Sequence, residues 1–403
     1  MLIAHLADLH LGYRAYHRLA PGGLNARELD VTEAFRATLD ATIALHPDLV
    51  LVAGDVFHTI RPSNTAIAEG FRQFARLAAA LPDTPIVVIA GNHDSPRAVE
   101  TGSILRLLAE IPGVIAVDDE ARAVHLEALD ANVLCLPHNA LASGRLPPLE
   151  PNPAATTNVL MLHGTITGDD ARQKLGYASE YGGAQLDFDA LAPDRWDYVA
   201  LGHYHIATEL APNVWYAGST ERTSTNIWVE TGDKGFLAFD TATRQAQFHA
   251  VPARAVADLP RFSAAGLTAA EVGARMRALA EGIPGGIAGR IVRLVVTDIP
   301  RELFRELDQR QIRELKATAL HFHLDARRPE VRRVVGFGAG DDPQRPRTLQ
   351  EEMDEFLRRV WTPSSADISV ERVVELADGF LAQAATDAPE PEEVLDPAGG
   401  MGH

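Results

Sequence analysis

Five short polar motifs, each placed where an apolar run ends, constrain this chain more than any other feature. They are Asp8-Leu9-His10, Gly54-Asp55-Val56-Phe57-His58, Gly91-Asn92-His93-Asp94, His163-Gly164 and Gly202-His203-Tyr204-His205. The runs before them include Leu49–Ala53, Ile86–Ala90, Val159–Leu162 and Tyr198–Leu201, and the N-terminal segment Met1–Asp8 reads as a first strand rather than a signal peptide. Short, unbroken, β-rich apolar runs are strands buried on both faces. Helical patterns at Asp30–Ala44 and Thr65–Leu81 lie between them. The pattern predicts an α/β layered domain whose ligands gather at strand ends. Two later runs, Val214–Ala217 and Gly235–Asp240, lie closer together and read as antiparallel strands.

Taken singly, each motif has a plain structural reading. A Gly-Asp after a strand is an ordinary turn or helix cap, and a histidine at a strand end is usually a satisfied structural residue. Five such motifs in one order point to a shared site. Carboxylate, imidazole and amide oxygens suit manganese, iron or zinc, and no set of thiolates demands zinc alone. One strand end cannot surround two ions, whereas several converging ends can. Two divalent ions about 3.5–4 Å apart can activate a water and offset charge on a phosphate. The flanking glycines are expected to let the backbone turn sharply and leave room for that phosphate. The single cysteine, Cys135, excludes an intrachain disulfide and reads as a buried, inert thiol.

The ordered set D-x-H, GD-x-F, GNHD, H-G and GH-x-H resembles the calcineurin-like metallophosphoesterases. It is most similar to the SbcD-type nuclease subunit of the double-strand-break repair exonuclease complex. That closer likeness rests on Asp8-Leu9-His10-Leu11-Gly12, on Gly54–Ser63, and on Tyr216-Ala217-Gly218-Ser219-Thr220-Glu221-Arg222 followed by Lys234-Gly235-Phe236. Protein Ser/Thr phosphatases of the same superfamily carry GD-x-VDRG and GNHE; here Phe57-His58 and Asp94 stand instead. The resemblance covers residues 1–240 in detail and is only architectural beyond them. It implies a layered β-sandwich flanked by helices, followed by a small α+β capping domain and C-terminal helices.

The resemblance also implies roles. Asp8, His10, Asp55 and His205 would bind a first ion, and Asp55 would bridge to a second held with Asn92, His163 and His203. His93 would act on the phosphate rather than on metal, Asp94 would hold its ring, and His58 would be a further substrate-side histidine. Tyr13, Arg14, Arg61 and Arg222 are candidates for contact with the DNA backbone. The cofactors implied are two divalent ions, manganese first, with iron or zinc as alternatives. The implied partners are DNA, an SbcC-like ATPase and a second copy of the chain. His5, His17, His46, His125, His138, His249, His321 and His323 fall outside the motifs and read as structural or solvent-facing.

Charge divides the chain. The total is −18, which argues against binding DNA by general electrostatics, yet 254–333 carries a net +5 and 334–403 a net −10. The expected domains are a phosphoesterase domain at 1–253, a capping domain at 254–335 and a linker at 336–347. A helical partner-binding segment at 348–383 and a disordered tail at 384–403 follow. Pro252, Pro260 and Gly266 mark the first boundary. Beyond it come a helix at Ala269–Leu279, a strand at Arg290–Val296, a helix at Glu302–Ala317 and a strand at Ala319–Leu324. No run is long enough to span a membrane, and the expected compartment is the cytoplasm. Two other functions stay open: a small-molecule phosphodiesterase or phosphatase, and a DNA-end-binding scaffold with a vestigial metal site.

Overall fold

The computed structural model describes residues 1–96, 102–168, 171, 174–175, 183–329, 349–359, 361 and 369–387. They fall in two compact units, Met1–Pro329 and Glu330–His403. The expected linker at 336–347 and the tail beyond Asp387 lie outside the described residues.

The apolar runs build two six-stranded sheets. The first contains β1 (Leu2–Leu6), β2 (Leu49–Ala53), β3 (Ile86–Ile89), β4 (Val114–Val117), β13 (Lys234–Asp240) and β14 (Gln245–Val251), in the order β14-β13-β1-β2-β3-β4. The second contains β5 (Arg122–Leu126), β6 (Ala131–Leu136), β7 (Thr157–His163), β10 (Tyr198–Gly202), β11 (Thr208–Ala211) and β12 (Val214–Tyr216), in the order β11-β12-β10-β7-β6-β5. In each sheet the four strands β1-β2-β3-β4 and β6-β7-β10-β12 run parallel. A short parallel pair, β8 (Thr165–Thr167) and β9 (Gln185–Asp187), follows β7.

Alternation along the strands explains why every position is apolar. Leu49, Leu51 and Ala53 of β2 pack with Val159 and Met161 of β7 in the cluster that joins the sheets, which also holds Cys135. Val50 and Val52 face the opposite way and pack with Phe35, Leu39, Phe74 and Leu77 of the helices Ala26–Leu45 and Asn64–Ala80. On the far face of the second sheet, Leu160, Leu162, Val199 and Leu201 join Trp196 and Tyr216. The result is a β-sandwich with helices outside it, as the resemblance implies.

The two later runs, read as antiparallel strands, each have antiparallel partners but lie in different sheets. Val214–Tyr216 runs parallel to β10 and antiparallel only to β11, while Lys234–Asp240 lies in the other sheet, antiparallel to β1 and β14.

After Val251 the chain forms a third sheet, β15 (Val256–Ser263), β16 (Ile291–Thr297) and β17 (His321–Ala326), all parallel and with their own apolar cluster. The first of these strands occupies the stretch read as a break. Pro260 is accommodated because β15 is an edge strand and its register shifts between Leu259 and Phe262. The helix expected over Glu302–Ala317 is two, Arg301–Glu306 and Gln309–Thr318, because Asp308 caps the second by accepting from the N–H groups of Arg310 and Gln311. In the second unit, helices Leu349–Arg359 and Val370–Asp387 bury Leu357 and Val374, and Gln350 donates to Asp378 at 3.0 Å; Phe356 and Phe380 are exposed. Among the described residues no helix is long and apolar enough to cross a membrane.

Candidate metal centre

All five motifs sit at the C-terminal edge of the sandwich, three after strands of the first sheet and two at strands of the second. Pairing between the chains leaving β1 and β2 continues past the strands: Asp8 N donates to Gly54 O at 3.1 Å, His10 N to Asp55 O at 2.9 Å and His58 N to Leu11 O at 3.0 Å. That pairing fixes Asp8, His10 and Asp55 in left-handed backbone, with φ of 52°, 47° and 52°. Non-glycine residues adopt this region uncommonly, Asp and His more readily than most, and here three such residues stand side by side, with His203 at φ 107° opposite them. The glycines serve the same crowding. A Cβ at Gly202 would lie 1.8 Å from the Ala53 carbonyl oxygen, and one at Gly91 would lie 2.1 Å from Asp55 Oδ1. They let the two sheets and the ligand side chains close up, a more immediate demand than room for phosphate.

The donor atoms converge. Asp8, His10 and His205 bring ligand atoms within 4.8 Å of one another, and so do Asp8, Asp55 and His163. His10 Nε2 and His205 Nε2 meet at 3.0 Å. Asp55 Oδ2 lies 3.8 Å from His10 Nε2 and 3.4 Å from His163 Nε2, between the two sets. Asn92 Oδ1 lies 2.9 Å from His163 Nε2 and 3.2 Å from His203 Nδ1. The structure therefore brings together every residue expected as a ligand. Asp55 Oδ2 is fully buried and makes no well-aligned hydrogen bond among the described residues; its neighbours are imidazole nitrogens, so it is balanced only by positive charge, from a protonated histidine or a cation. Burial works to raise the Asp55 pKa, but the charges of His163, His10 and His93 hold it well below the usual range. Burial works to lower the His163 pKa, and Asp55 and Asp8 drive it up to about 10. The cluster is thus a set of negative oxygens shared among nitrogens, and a divalent ion satisfies it with the protons removed.

His93 stands beside the ligands, its ring 4.9 Å from that of His10 and stacked at 5.1 Å on His58. Its Nδ1 contacts the His58 carbonyl oxygen at 2.7 Å. Asp94, expected to hold that ring, is engaged elsewhere. Its carboxylate accepts from the N–H groups of Val56, Phe57 and Gly91 at 3.0, 2.9 and 3.2 Å, tying the Asp55 loop to the Gly91 turn. His58 Nδ1 is 3.4 Å from His10 Nδ1, and Tyr13 packs edge-on against His58 at 4.8 Å.

The four candidates for DNA contact separate. Arg61 is exposed. Arg14 is exposed but donates to buried Glu28 at 2.6 Å. Tyr13 is wedged between His58 and the Arg27 guanidinium. The Arg222 guanidinium donates to the carbonyls of Glu230, Arg254 and Gly232, so in this structure it ties neighbouring segments together.

A model of the calcineurin-like phosphoesterase family matches residues 1–207. The chain belongs to that family. Within it, this phosphoesterase is 34% identical over 110 residues to the DNA double-strand break repair protein Mre11 of Methanocaldococcus jannaschii, a match covering 27% of this chain and 28% of that protein. It is 31% identical over 206 residues to the protein of the same name from Sulfurisphaera tokodaii, covering 50% of this chain and 48% of the relative. The uncharacterized metallophosphoesterase YhaO of Bacillus subtilis is 29% identical over 245 residues, or 58% of this chain and 55% of that protein. The chain thus matches between about a quarter and just over half of the length of these relatives. Members of the family use divalent metals, in agreement with the His/Asp clusters of this phosphoesterase.

Some residues of the site had no role assigned from sequence, although Glu221 and Lys234 belong to the quoted motifs. Glu230 and Lys234 are buried behind His205, and Arg27, Asp30, Glu221 and Arg254 form a second buried network at 2.6–3.2 Å. The available signal was a charged residue opening an apolar strand, as Lys234 opens β13; such a residue needs a buried partner. His138 begins a short helix, and Asp55, His163 and His93 are near enough to influence it, although burial is the main cause that lowers its pKa to about 4. His5 is fully buried on Tyr198, with Nδ1 2.8 Å from the hydroxyl, and burial lowers it to about 3.

Proposed function

We propose that this phosphoesterase is a two-metal DNA phosphodiesterase of the SbcD type, acting in double-strand-break repair with an SbcC-like ATPase. The observation that carries the reading is the convergence of carboxylate, imidazole and amide donors from five strand ends on one buried cluster, with His93 beside it. The donor set and the buried Asp55 oxygen fit divalent cations, manganese first and iron or zinc as alternatives. Asp8, His10, Asp55 and His205 would hold one ion, and Asp55, Asn92, His163 and His203 the other. Such ions, when bound, activate a water and neutralise phosphate charge. The side chains supply the rest: His93, fixed at Nδ1 by the His58 carbonyl, would pass a proton from Nε2 to the leaving oxygen. His58, Tyr13, Arg14 and Arg61 would line the DNA path.

Likeness to two repair proteins supports DNA as substrate. The net charge of −18 favours the alternative, a small phosphodiester, unless a basic partner supplies the DNA surface. Manganese-dependent cleavage of oligonucleotide or plasmid, run beside cyclic-nucleotide hydrolysis, separates the two. DNA cleavage alone is expected, and turnover of cyclic nucleotides alone overturns the proposal. The exposed Phe71 on Asn64–Ala80 is compatible with a homodimer. The C-terminal helices, with Phe356 and Phe380 exposed, are proposed as the ATPase docking segment. Truncation after Gly340 should leave basal cleavage intact and abolish co-purification with the ATPase; a truncated chain that misfolds or loses basal cleavage refutes the docking role.

A further inference from the structure

Behind His205 lies a buried ion pair that does not reach the metal cluster itself. Glu230 and Lys234 flank the turn into β13, and both are almost fully buried. Glu230 Oε1 faces His205 Nδ1 at 3.5 Å and accepts from Ser224 N at 3.0 Å, while Oε2 takes the Lys234 ammonium. The same ammonium donates to the His205 carbonyl at 2.7 Å and to Ser219 Oγ at 2.9 Å. One lysine therefore fastens both the backbone of His205 and the carboxylate behind its ring. The Thr223 hydroxyl, 3.5 Å from the same ring nitrogen, adds a neutral contact. The opposite ring edge, Nε2, faces His10.

His163 is served differently. Its Nδ1 contacts the Ala53 carbonyl at 2.8 Å, a neutral acceptor on a buried strand, and the carboxylate near that nitrogen, Asp8 Oδ1 at 3.9 Å, is itself a proposed ligand rather than a group standing behind the ring. The two clusters thus differ in what stands behind their histidines. A carboxylate behind a metal-binding imidazole fixes its tautomer and increases its strength as a donor, and losing such a partner costs about 10–100-fold in metal affinity.

We infer that Glu230, held by Lys234, is a positioning residue for His205, fixing the Nδ1–H tautomer and making the ion site of Asp8, His10 and His205 depend on a charge that the His163 site does not use. The inference rests on the two-metal reading above. Removing Glu230 alone would strand a buried lysine, so the informative variant is the double Glu230→Met, Lys234→Met, in which both charges and the acceptor behind His205 leave together at similar volume.

The test has two readouts. In the metal-free wild-type chain, nitrogen-15 NMR with labelled histidine should find His205 protonated at Nδ1, and in the double variant that tautomer should lose its dominance. Calorimetric titration of manganese should show one binding class weakened about 10–100-fold in the double variant and the other within about twofold of wild type. His205 protonated at Nε2 in the wild type, or a folded double variant binding both ions as tightly as wild type, overturns the inference. If the double variant does not fold, Glu230→Asp, which keeps the charge but shortens its reach, replaces it and should weaken the same single class; an unchanged titration refutes the inference. A wild-type chain that binds fewer than two ions defeats the two-metal reading instead, and the tautomer result then decides the role of Glu230 separately.

Discussion

Replacing Asp94 discriminates between two views of this carboxylate. It accepts three backbone N–H groups, from Val56, Phe57 and Gly91, and is almost completely buried. An asparagine can place its amide oxygen where Oδ2 stands and keep the bonds to Val56 and Gly91. Its NH2 then confronts the Phe57 N–H, so one charge-assisted bond is lost, at about 1.5–3 kcal/mol. Asp94→Ala strands all three donors, and at about 1–3 kcal/mol each the cost is about 4–5 kcal/mol once water or backbone shifts relieve part of it. Urea unfolding of the metal-free chain measures both values from the shift in midpoint at constant slope. Because the same carboxylate ties the Asp55 loop to the Gly91 turn, manganese affinity should fall with stability. Had Asp94 acted by orienting the His93 ring, the asparagine variant would keep its stability and its ions and lose only rate. A loss under about 0.5 kcal/mol for Asp94→Asn, or an alanine variant no worse than the asparagine, refutes the reasoning.

Other expectations follow from the same geometry. His93→Ala should keep two ions by elemental analysis and lose about a hundredfold or more in rate, the scale of a lost general acid; loss of an ion would instead make His93 a ligand. Asp55→Asn should weaken both ions, whereas Asn92→Ala should chiefly empty the site of His163 and His203; equal loss of both in the Asn92 variant contradicts the assignment. Asp94, raised to about 7 by burial and by the charge of Asp55, and His163, at about 10 through Asp55 and Asp8 despite burial, both have folded pKa values above their ordinary ones. Each therefore stabilises the metal-free fold fully below its ordinary pKa and ceases to do so as pH rises through the folded value. The thermal midpoint of the metal-free chain should drop between pH 6.5 and 10, while the gain on adding manganese grows over the same range as ions replace protons; a midpoint flat in pH would count against this account.

Much of the site could be read from sequence because it is made of strand ends. A strand that is apolar throughout and then breaks into Gly-Asp or Gly-Asn-His announces both its own burial and the edge where it stops, and five such edges mark the donor residues that the structure brings together. What lay hidden is what holds the candidate ligands in place. The Asp94 carboxylate caps backbone from a loop 38 residues earlier, and Glu230 reaches His205 across the two sheets, pairings that no local pattern encodes. Arg222 was a candidate for DNA contact, yet its neighbours Thr220 and Glu221 are buried and its guanidinium donates to three carbonyls. The strand through Pro260 was missed for a similar reason: proline is excluded from a central strand, and only the topology reveals that β15 is an edge.

The central claim is that two ions on one buried cluster cleave DNA. The most direct measurement is to titrate manganese into the metal-free chain while following cleavage of a labelled oligonucleotide. The account predicts that cleavage rises to a plateau at two equivalents per chain, with little activity at one; a plateau at a single equivalent, or cleavage indifferent to manganese, would contradict it.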